Sequence, residues 1–494
     1  MNHSEELVKL IFGLKLKKIR QNSGLSLKEV SQRANLSISY LNEIENGKKY
    51  PNPKKIIGLA EAYKIPYDQL VTLKVTKELM PIANYLNLEI VNEDLLSTFG
   101  IDKSDLLSIL LRDPYRVSAF INAGIEIAKS YQLDKNHFYF LCLRAFQELN
   151  ENYFEDIEDE VDTFKSTYFG SQSNDFSSNL YQHILEKEFG YKVTTFSKIQ
   201  CKDKTSLRSV FIPETKTLVC NDKLTESQKI FLFAKEIGFQ VLQLKKRPYT
   251  TSWLEIDSFD HVINNFKASY FAQALHIDKK SLIKDLEILF ESSRFKHKFF
   301  IQLMNKYNAS PEMLFTRITN LLPKYLGVNE LFFIRYSSKE PDKNLKAVSK
   351  EMHLVKPTSL LDYKQSEQDY RRSITKIVVR YLNEEVDDKY DFKIAAFVSQ
   401  SPQGNEYLTI SMLMPLPELN NANNSVTFGL VLSDALKKKI NFISDAKFQS
   451  TEIQQYFDAK RISSNSNKKQ NEETEKRFFE KVRTQLLKSS LPES

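Results

Sequence analysis

The stretch from Gly24 to Pro53, GLSLKEVSQRANLSISYLNEIENGKKYPNP, leaves few folds open. Ser26 can accept a bond from a free backbone N–H of a first helical turn, and Glu29 three residues on completes a capping box. The spacing predicts a helix running to about Ala34 and broken at Asn35. Ser37 then caps a second helix carrying Ile38, Tyr40, Leu41 and Ile44. Gly47 closes it, because glycine tolerates the left-handed conformation past a helix C-terminus. Two short helices on a tight turn predict a helix-turn-helix, whose second helix can enter a DNA major groove. On that helix Ser39, Asn42 and Glu43 face away from the apolar stripe of Leu36, Leu41 and Ile44. With Ile38 and Tyr40 they are the candidates for contact with base edges. Glu43 has two open uses, reading cytosine or pairing with Lys48.

Charge points the same way. The formal net charge is +7, and residues 1–80 hold 14 Lys and Arg against 8 Asp and Glu. Nearly all the excess positive charge therefore surrounds the motif, as a phosphate-binding surface requires. The 494-residue chain exceeds what one core usually holds, so several domains are expected. No apolar run reaches the ~20 residues that span a bilayer, and the N-terminus lacks a signal-peptide core. Cys142, Cys201 and Cys220 are few, odd in number and widely spaced, which fits a reducing compartment and no cysteine-built metal site. A cytoplasmic protein without membrane attachment and without a cofactor is the expectation.

The run from Leu14 to Leu70 strongly resembles the Cro/repressor-type (XRE) helix-turn-helix family. The resemblance rests on Leu16 and Arg20 in the first helix, Leu25–Ser31, and Glu45-Asn-Gly-Lys48. It implies a five-helix, lambda-repressor-like DNA-binding domain over residues 8–75. The first helix spans roughly residues 8–23, with Leu10, Leu14 and Ile19 inward and Lys15, Lys17 and Lys18 outward. Pro51 and Pro53 mark the loop before Ile56–Tyr63 and Tyr67–Leu73. The resemblance also implies a structural pair of Arg20 with Glu45, and double-stranded DNA as partner, read by a homodimer. Phosphate contacts fall to Ser37, Asn46, Lys48, Lys49 and Lys28.

Residues 76–168 read as a helical linker or dimerisation region, with helix starts at Asn92, Ser104 and Asp134 and periodic runs at Val117–Ala128 and Phe138–Leu149. The acidic run Glu148–Asp162 reads as a solvated helix face. Gly170–Ser178 is a polar linker. Then come a helix at Leu180–Phe189, short strands at Tyr191–Phe196, Ser206–Ile212 and Thr217–Cys220, and helices at Glu226–Leu244 and Ile263–Leu275. Over residues 178–322 this order resembles the ImmA/IrrE family of zinc metallopeptidases, in which H-E-x-x-H and a later acidic residue bind the metal. Here the aligned residues are Lys235, Glu236, Phe239 and Asn265. A lysine and a phenylalanine offer no lone pair to zinc at neutral pH, so a degenerate zincin, without metal and without catalysis, is expected. His261 and His276 lie off ligand spacing and read as surface or packing residues.

Together these parts resemble the short-chain fatty-acyl transcriptional regulator family, a resemblance extended by Tyr307–Tyr336. It implies a small-molecule effector such as an acyl-coenzyme A. Relatives carry late cysteines that suit a metal cluster; this chain has none after Cys220, so no cluster is expected. Residues 325–460 read as an α+β, sensor-like domain. Its strands are expected at Leu331–Tyr336, Lys393–Val398, Leu408–Met414, Ser425–Leu432 and Ile440–Ile443, and its helices at Asp362–Leu382 and Leu432–Lys438. Arg335, Arg371, Arg372 and Arg380 can serve an anionic ligand or salt bridges with Glu367, Asp369 and Glu384. Ser463–Gln470 is a linker before a charged helical tail over residues 465–494, with its helix at Glu472–Lys488.

The expected architecture is thus multidomain, mainly α and then α+β: a DNA-binding domain, a helical middle, a zincin-like domain and a sensor-like domain. The expected function is a ligand-responsive transcription regulator. The alternatives are a DNA-binding scaffold or antitoxin-like protein that senses a protein partner, and a zinc metalloprotease.

Overall fold

The computed structural model describes residues 5–72, 98–100, 135–169, 177–196, 207–250, 258–337, 347–354, 369–376, 393–401, 404–416, 422–444 and 449–450. The chain divides into two compact units, residues 1–140 with 258–260 and residues 141–257 with 261–494. The helix starts at Asn92, Ser104 and Asp134, the run Val117–Ala128, and the tail with its linker lie outside the described residues. Among the described residues no helix is long and apolar enough to cross a membrane.

The first unit opens with α1 (Glu5–Asn22), α2 (Leu27–Arg33), α3 (Ile38–Glu45), α4 (Pro53–Tyr63) and α5 (Tyr67–Val71). Phe12, Leu16 and Ile19 supply the stripe by which α1 packs on Val30, Leu41 and Ile44. The side chains of Leu10 and Leu14 lie outside the description. Lys15 does not simply point outward: it is partly buried and its Nζ donates to the carbonyl of Thr72. Gly13 sets the approach of α1 to α3, since a Cβ there would run into the carbonyl oxygen of Ile44. Pro53 belongs to α4 and not to the loop before it: it fills the first helical turn after Asn52, whose side chain caps the helix. A missing N–H costs nothing there.

The remaining elements begin with α6 (Lys135–Leu149), α7 (Glu155–Tyr168) and α8 (Ser178–Lys187). A three-stranded sheet follows, of β1 (Lys192–Thr195), β2 (Ser209–Ile212) and β3 (Thr217–Cys220), ordered β1-β3-β2 with β1 parallel to β3 and β2 antiparallel to it. Next are α9 (Glu226–Val241), α10 (Phe259–His276), α11 (Lys279–Glu291), α12 (His297–Tyr307) and α13 (Pro311–Leu326). The acidic segment is not a solvated face throughout. Glu158 of α7 is buried and receives the fully buried Arg317 guanidinium, the Tyr270 hydroxyl at 2.8 Å and, at 3.8 Å, Lys279. The outward residues Glu155 and Asp159 are exposed. The odd one turns inward because α13 brings Arg317 there.

A second sheet of six strands contains β4 (Leu331–Ser337), β5 (Ala347–Leu354), β6 (Lys393–Gln400), β7 (Glu406–Leu416), β8 (Ala422–Val431) and β9 (Gln449–Ser450), in the order β5-β4-β8-β7-β6-β9. Phe428 on one face packs edge-on against Phe315 of α13 and near Phe300 of α12. Strand β5 breaks the alternating pattern with Lys350 and Glu351, which masks it in sequence; both charges are paired, with Glu312 and Arg372. The strand expected at Ile440–Ile443 is instead a turn of 3-10 helix, Asn441–Ser444, after α14 (Asp434–Lys439). Ile440, Phe442 and Ile443 are buried, but the Ile443 N–H bonds back to Ile440 and no strand pairs with them. Of Asp362–Leu382 only residues 369–376 are described, and they are helical.

His276 lies buried between the Tyr181 hydroxyl at Nδ1, 3.3 Å away, and the Tyr307 carbonyl at Nε2. Burial pulls its pKa down to about 4, so it stays neutral in the fold. Below about 6.5 the unfolded chain takes up a proton there that the folded chain refuses. Stability from this residue is therefore full above about pH 6.5 and lost as pH falls toward 4, by about 3 kcal/mol in all. Urea unfolding of wild type and His276→Gln at neutral and acid pH checks this. The acid limb should be shallower in the variant; superimposable limbs contradict the account.

Candidate functional site

The motif helices form where the caps place them. The Ser26 side chain accepts from the Glu29 N–H at 3.2 Å, and the Glu29 carboxylate accepts from the Ser26 N–H at 2.7 Å. Asn35 takes a left-handed φ of 50°, which an asparagine tolerates, and turns the chain. Ser37 accepts from the Tyr40 N–H at 3.1 Å and starts α3, and Gly47 follows it at φ 66°. Leu41 and Ile44 are wholly buried beneath α3.

Glu45 is also buried, and the Arg20 guanidinium meets it with two parallel bonds, Nε to Oε1 at 2.7 Å and a terminal nitrogen to Oε2 at 2.9 Å. A third bond runs from Arg20 to the carbonyl of Leu25, at the entry to α2. One side chain thus ties α1 to the start of α2 and the end of α3. The carboxylate holds the guanidinium above its ordinary pKa.

The outer face of α3 divides into free and committed groups. Ile38 is 47% exposed, and Ser39 and Asn42 are exposed beside it. Asn42 Oδ1 accepts from Asn46 Nδ2 at 3.1 Å, leaving the Asn42 amide donors outward. Glu43 pairs with Lys49 at 2.8 Å, and not with Lys48. The Tyr40 ring is half-buried, with Lys55 Nζ 3.8 Å above its centroid and Lys49 Nζ at 5.6 Å. Of the phosphate candidates, Lys28 and Lys48 are exposed, Lys49 is exposed but bonded to Glu43, and the Ser37 hydroxyl is occupied as a cap. Lys55, which lies over the Tyr40 ring, and its neighbour Lys54 add positive charge that the sequence candidates do not include. Their signal is electrostatic: two lysines in the first turn of α4, with no acid, oppose the helix dipole.

The aligned zincin positions lie in the second unit. Glu236 of α9 is buried and meets Arg247 through two bonds, of 2.6 and 2.7 Å. The Tyr191 hydroxyl adds a third bond at 3.1 Å, and Gln240 donates to Tyr191 at 2.8 Å. The guanidinium carbon lies 3.8 Å from the Phe239 ring centroid and 4.5 Å from that of Phe211. A cation therefore fills the space beside Glu236 and Phe239, and that cation is Arg247, which sequence comparison with the metal motif does not reveal. Lys235 is partly buried, and desolvation brings its pKa down to about 8. Asn265 is a half-buried residue of α10 whose carbonyl accepts from Ser269 at 2.7 Å. Among the described residues no three His, Cys, Asp or Glu side chains gather as a metal site.

Residues 13–75 match a family described as "Helix-turn-helix domain". No curated protein matches the chain. Among solved structures, one described as "Mycobacterium tuberculosis transcriptional regulator" is similar at 15% identity and a TM-score of 0.44, over 63% of this chain and 86% of that one. The chain carries a helix-turn-helix domain over residues 13–75.

Proposed function

We propose that this protein is a sequence-specific DNA-binding transcription regulator, acting in the cytoplasm as a homodimer under the control of a small-molecule effector. The observation that carries the reading is the outer face of α3, with Ile38, Ser39 and Asn42 exposed, in a domain that also exposes Lys28, Lys48 and Lys54 and sets Lys55 over Tyr40. Exposed polar groups on a rigid, capped helix suit base edges, and a lysine rim suits the backbone on either side. Two copies reading half-sites about one helical turn apart are what the XRE resemblance implies. The XRE resemblance and the resemblance to fatty-acyl regulators support the same class, with an acyl-coenzyme A or related metabolite as effector.

Within this reading the zincin-like segment is structural and not catalytic. Its support is the Glu236–Arg247 pair, which uses as a buried anion the residue that the peptidase family uses as a base. Glu236→Gln strands a buried guanidinium and should cost about 3–5 kcal/mol of stability, measured by urea unfolding. Folded Glu236→Gln should bind DNA as wild type does. Unchanged stability would remove the pair from this role.

Two substitution sets test the interface. Ser39→Ala with Asn42→Ala should lower discrimination between a selected site and a scrambled one by about 1–3 kcal/mol, read by fluorescence anisotropy. Equal discrimination would place base reading elsewhere. Lys48→Ala should weaken binding to every sequence alike and flatten the logarithmic salt dependence by about one unit of slope. An unaltered slope would take Lys48 off the phosphates.

A further inference from the structure

The two faces of the six-stranded sheet differ in kind. Cross-strand partners share a face, so the registers place Ser399, Tyr407, Thr409, Gly429 and Phe332 together on the face opposite Phe428. Ser411 and Thr427 adjoin them and bond to each other at 2.7 Å. These hydroxyl groups are out of solvent: Ser399 is 1% exposed, and Thr409, Ser411 and Thr427 are 0%. The Ser399 Oγ and Thr409 Oγ1 atoms have no hydrogen-bond partner. Buried polar groups without partners are rare, because each forfeits the bonds it had with water.

Over this face lies Arg371, in the helical residues 369–376. It is 5% exposed, with its guanidinium 5.9 Å from the Phe332 ring and 6.0 Å from the Tyr407 ring. Its side-chain bond goes to the Tyr407 hydroxyl at 3.4 Å, and its Nε has no partner. Among the described residues, the carboxylates of Glu351 and Asp369 are paired with other arginines, Glu351 with Arg372 and Arg144 and Asp369 with Arg372. A guanidinium always carries its charge. One buried without an anion is strongly unfavourable, whereas a carboxylate matches its paired N–H groups with two parallel bonds.

We propose that Arg371, with Tyr407, Thr409 and Ser399, forms a binding site for a small monocarboxylate. The single positive charge balances one carboxylate, whereas a phosphate dianion would leave a buried negative charge over. The aromatic rings of Phe332, Tyr370 and Tyr407 and the side chain of Ile374 supply the apolar wall for a short aliphatic tail. Gly429 makes room for that wall, since a Cβ there would run into the Phe332 ring. Within the ligand-responsive reading this puts a free short-chain carboxylate, and not its coenzyme A thioester, in the effector's place, and it rests on that reading only for its regulatory consequence. Binding itself stands on the sheet alone.

The test is thermal unfolding of the full chain against acetate, propionate, butyrate, succinate and inorganic phosphate at constant ionic strength. A monocarboxylate should raise the Tm with concentration, and phosphate should not. Arg371→Met should weaken the apparent affinity at least about tenfold. Thr409→Val, of equal volume and without the unpaired hydroxyl, should match or exceed the wild-type Tm without ligand and still bind more weakly. If Arg371→Met does not melt cooperatively, Thr409→Val decides alone. A flat response of wild type to every probe overturns the site, and equal stabilisation of wild type and variants overturns its assignment. Stabilisation by phosphate or succinate in preference to the monocarboxylates overturns the ligand class. DNA binding measured alongside is independent: its absence with carboxylate binding intact would sink the regulator reading and leave this site standing.

Discussion

A guanidinium taken out of water has to be met by an anion, and this chain buries several. Desolvating such a charge costs several kcal/mol, and only a close, well-bonded carboxylate returns it. Arg317 has Glu158, Arg247 has Glu236 and Arg20 has Glu45. Arg317 with Glu158 and Arg20 with Glu45 join different helices and so fix how elements pack. Glu158 and Arg317 hold α7 to α13, and Arg20 and Glu45 hold the ends of the DNA-binding helices to α1. Among the described residues Arg371 is a buried guanidinium with no carboxylate bonded to it, which is why the face beneath it reads as a place for a ligand's charge.

The helix-turn-helix shows how such a pair shapes function without touching DNA. Binding specificity needs α3 held at one angle, since base contacts are made by short side chains on a rigid rod. The Arg20 bonds to Glu45 and Leu25, and the close passage of α1 at Gly13, hold both ends of the motif against one helix. The exposed residues of α3 are then left with no structural task except Asn42, which braces Asn46. Glu43 is different, because its carboxylate is paired with Lys49 at the exposed surface.

The parts of this structure legible in sequence are those coded locally. Caps at Ser26 and Ser37, and Gly47 past α3, mark helix limits within a residue or two, since each cap bond spans only three residues. Strand β3 is legible because Thr217–Cys220 is short, β-branched and apolar. What was not legible depends on distant partners. Glu158 looked like one more surface acid until α13 brought Arg317 to it, and nothing near Glu236 announces Arg247. Strand β5 hid behind charges whose partners lie on other elements. On the outer face of α3, the exposure of Ile38, Ser39 and Asn42 is readable from helical periodicity. Lys55 is not, because its place over the Tyr40 ring is set by the turn between α3 and α4.

The central claim is that α3 reads DNA sequence. Selection of bound fragments from a random duplex pool by the full-length protein tests it most directly. The account predicts enrichment of one motif, with two inverted half-sites whose centres lie about one helical turn apart. Recovery of bound DNA without any enriched motif would contradict it, and would reduce the basic N-terminal unit to a general binder of phosphate backbone.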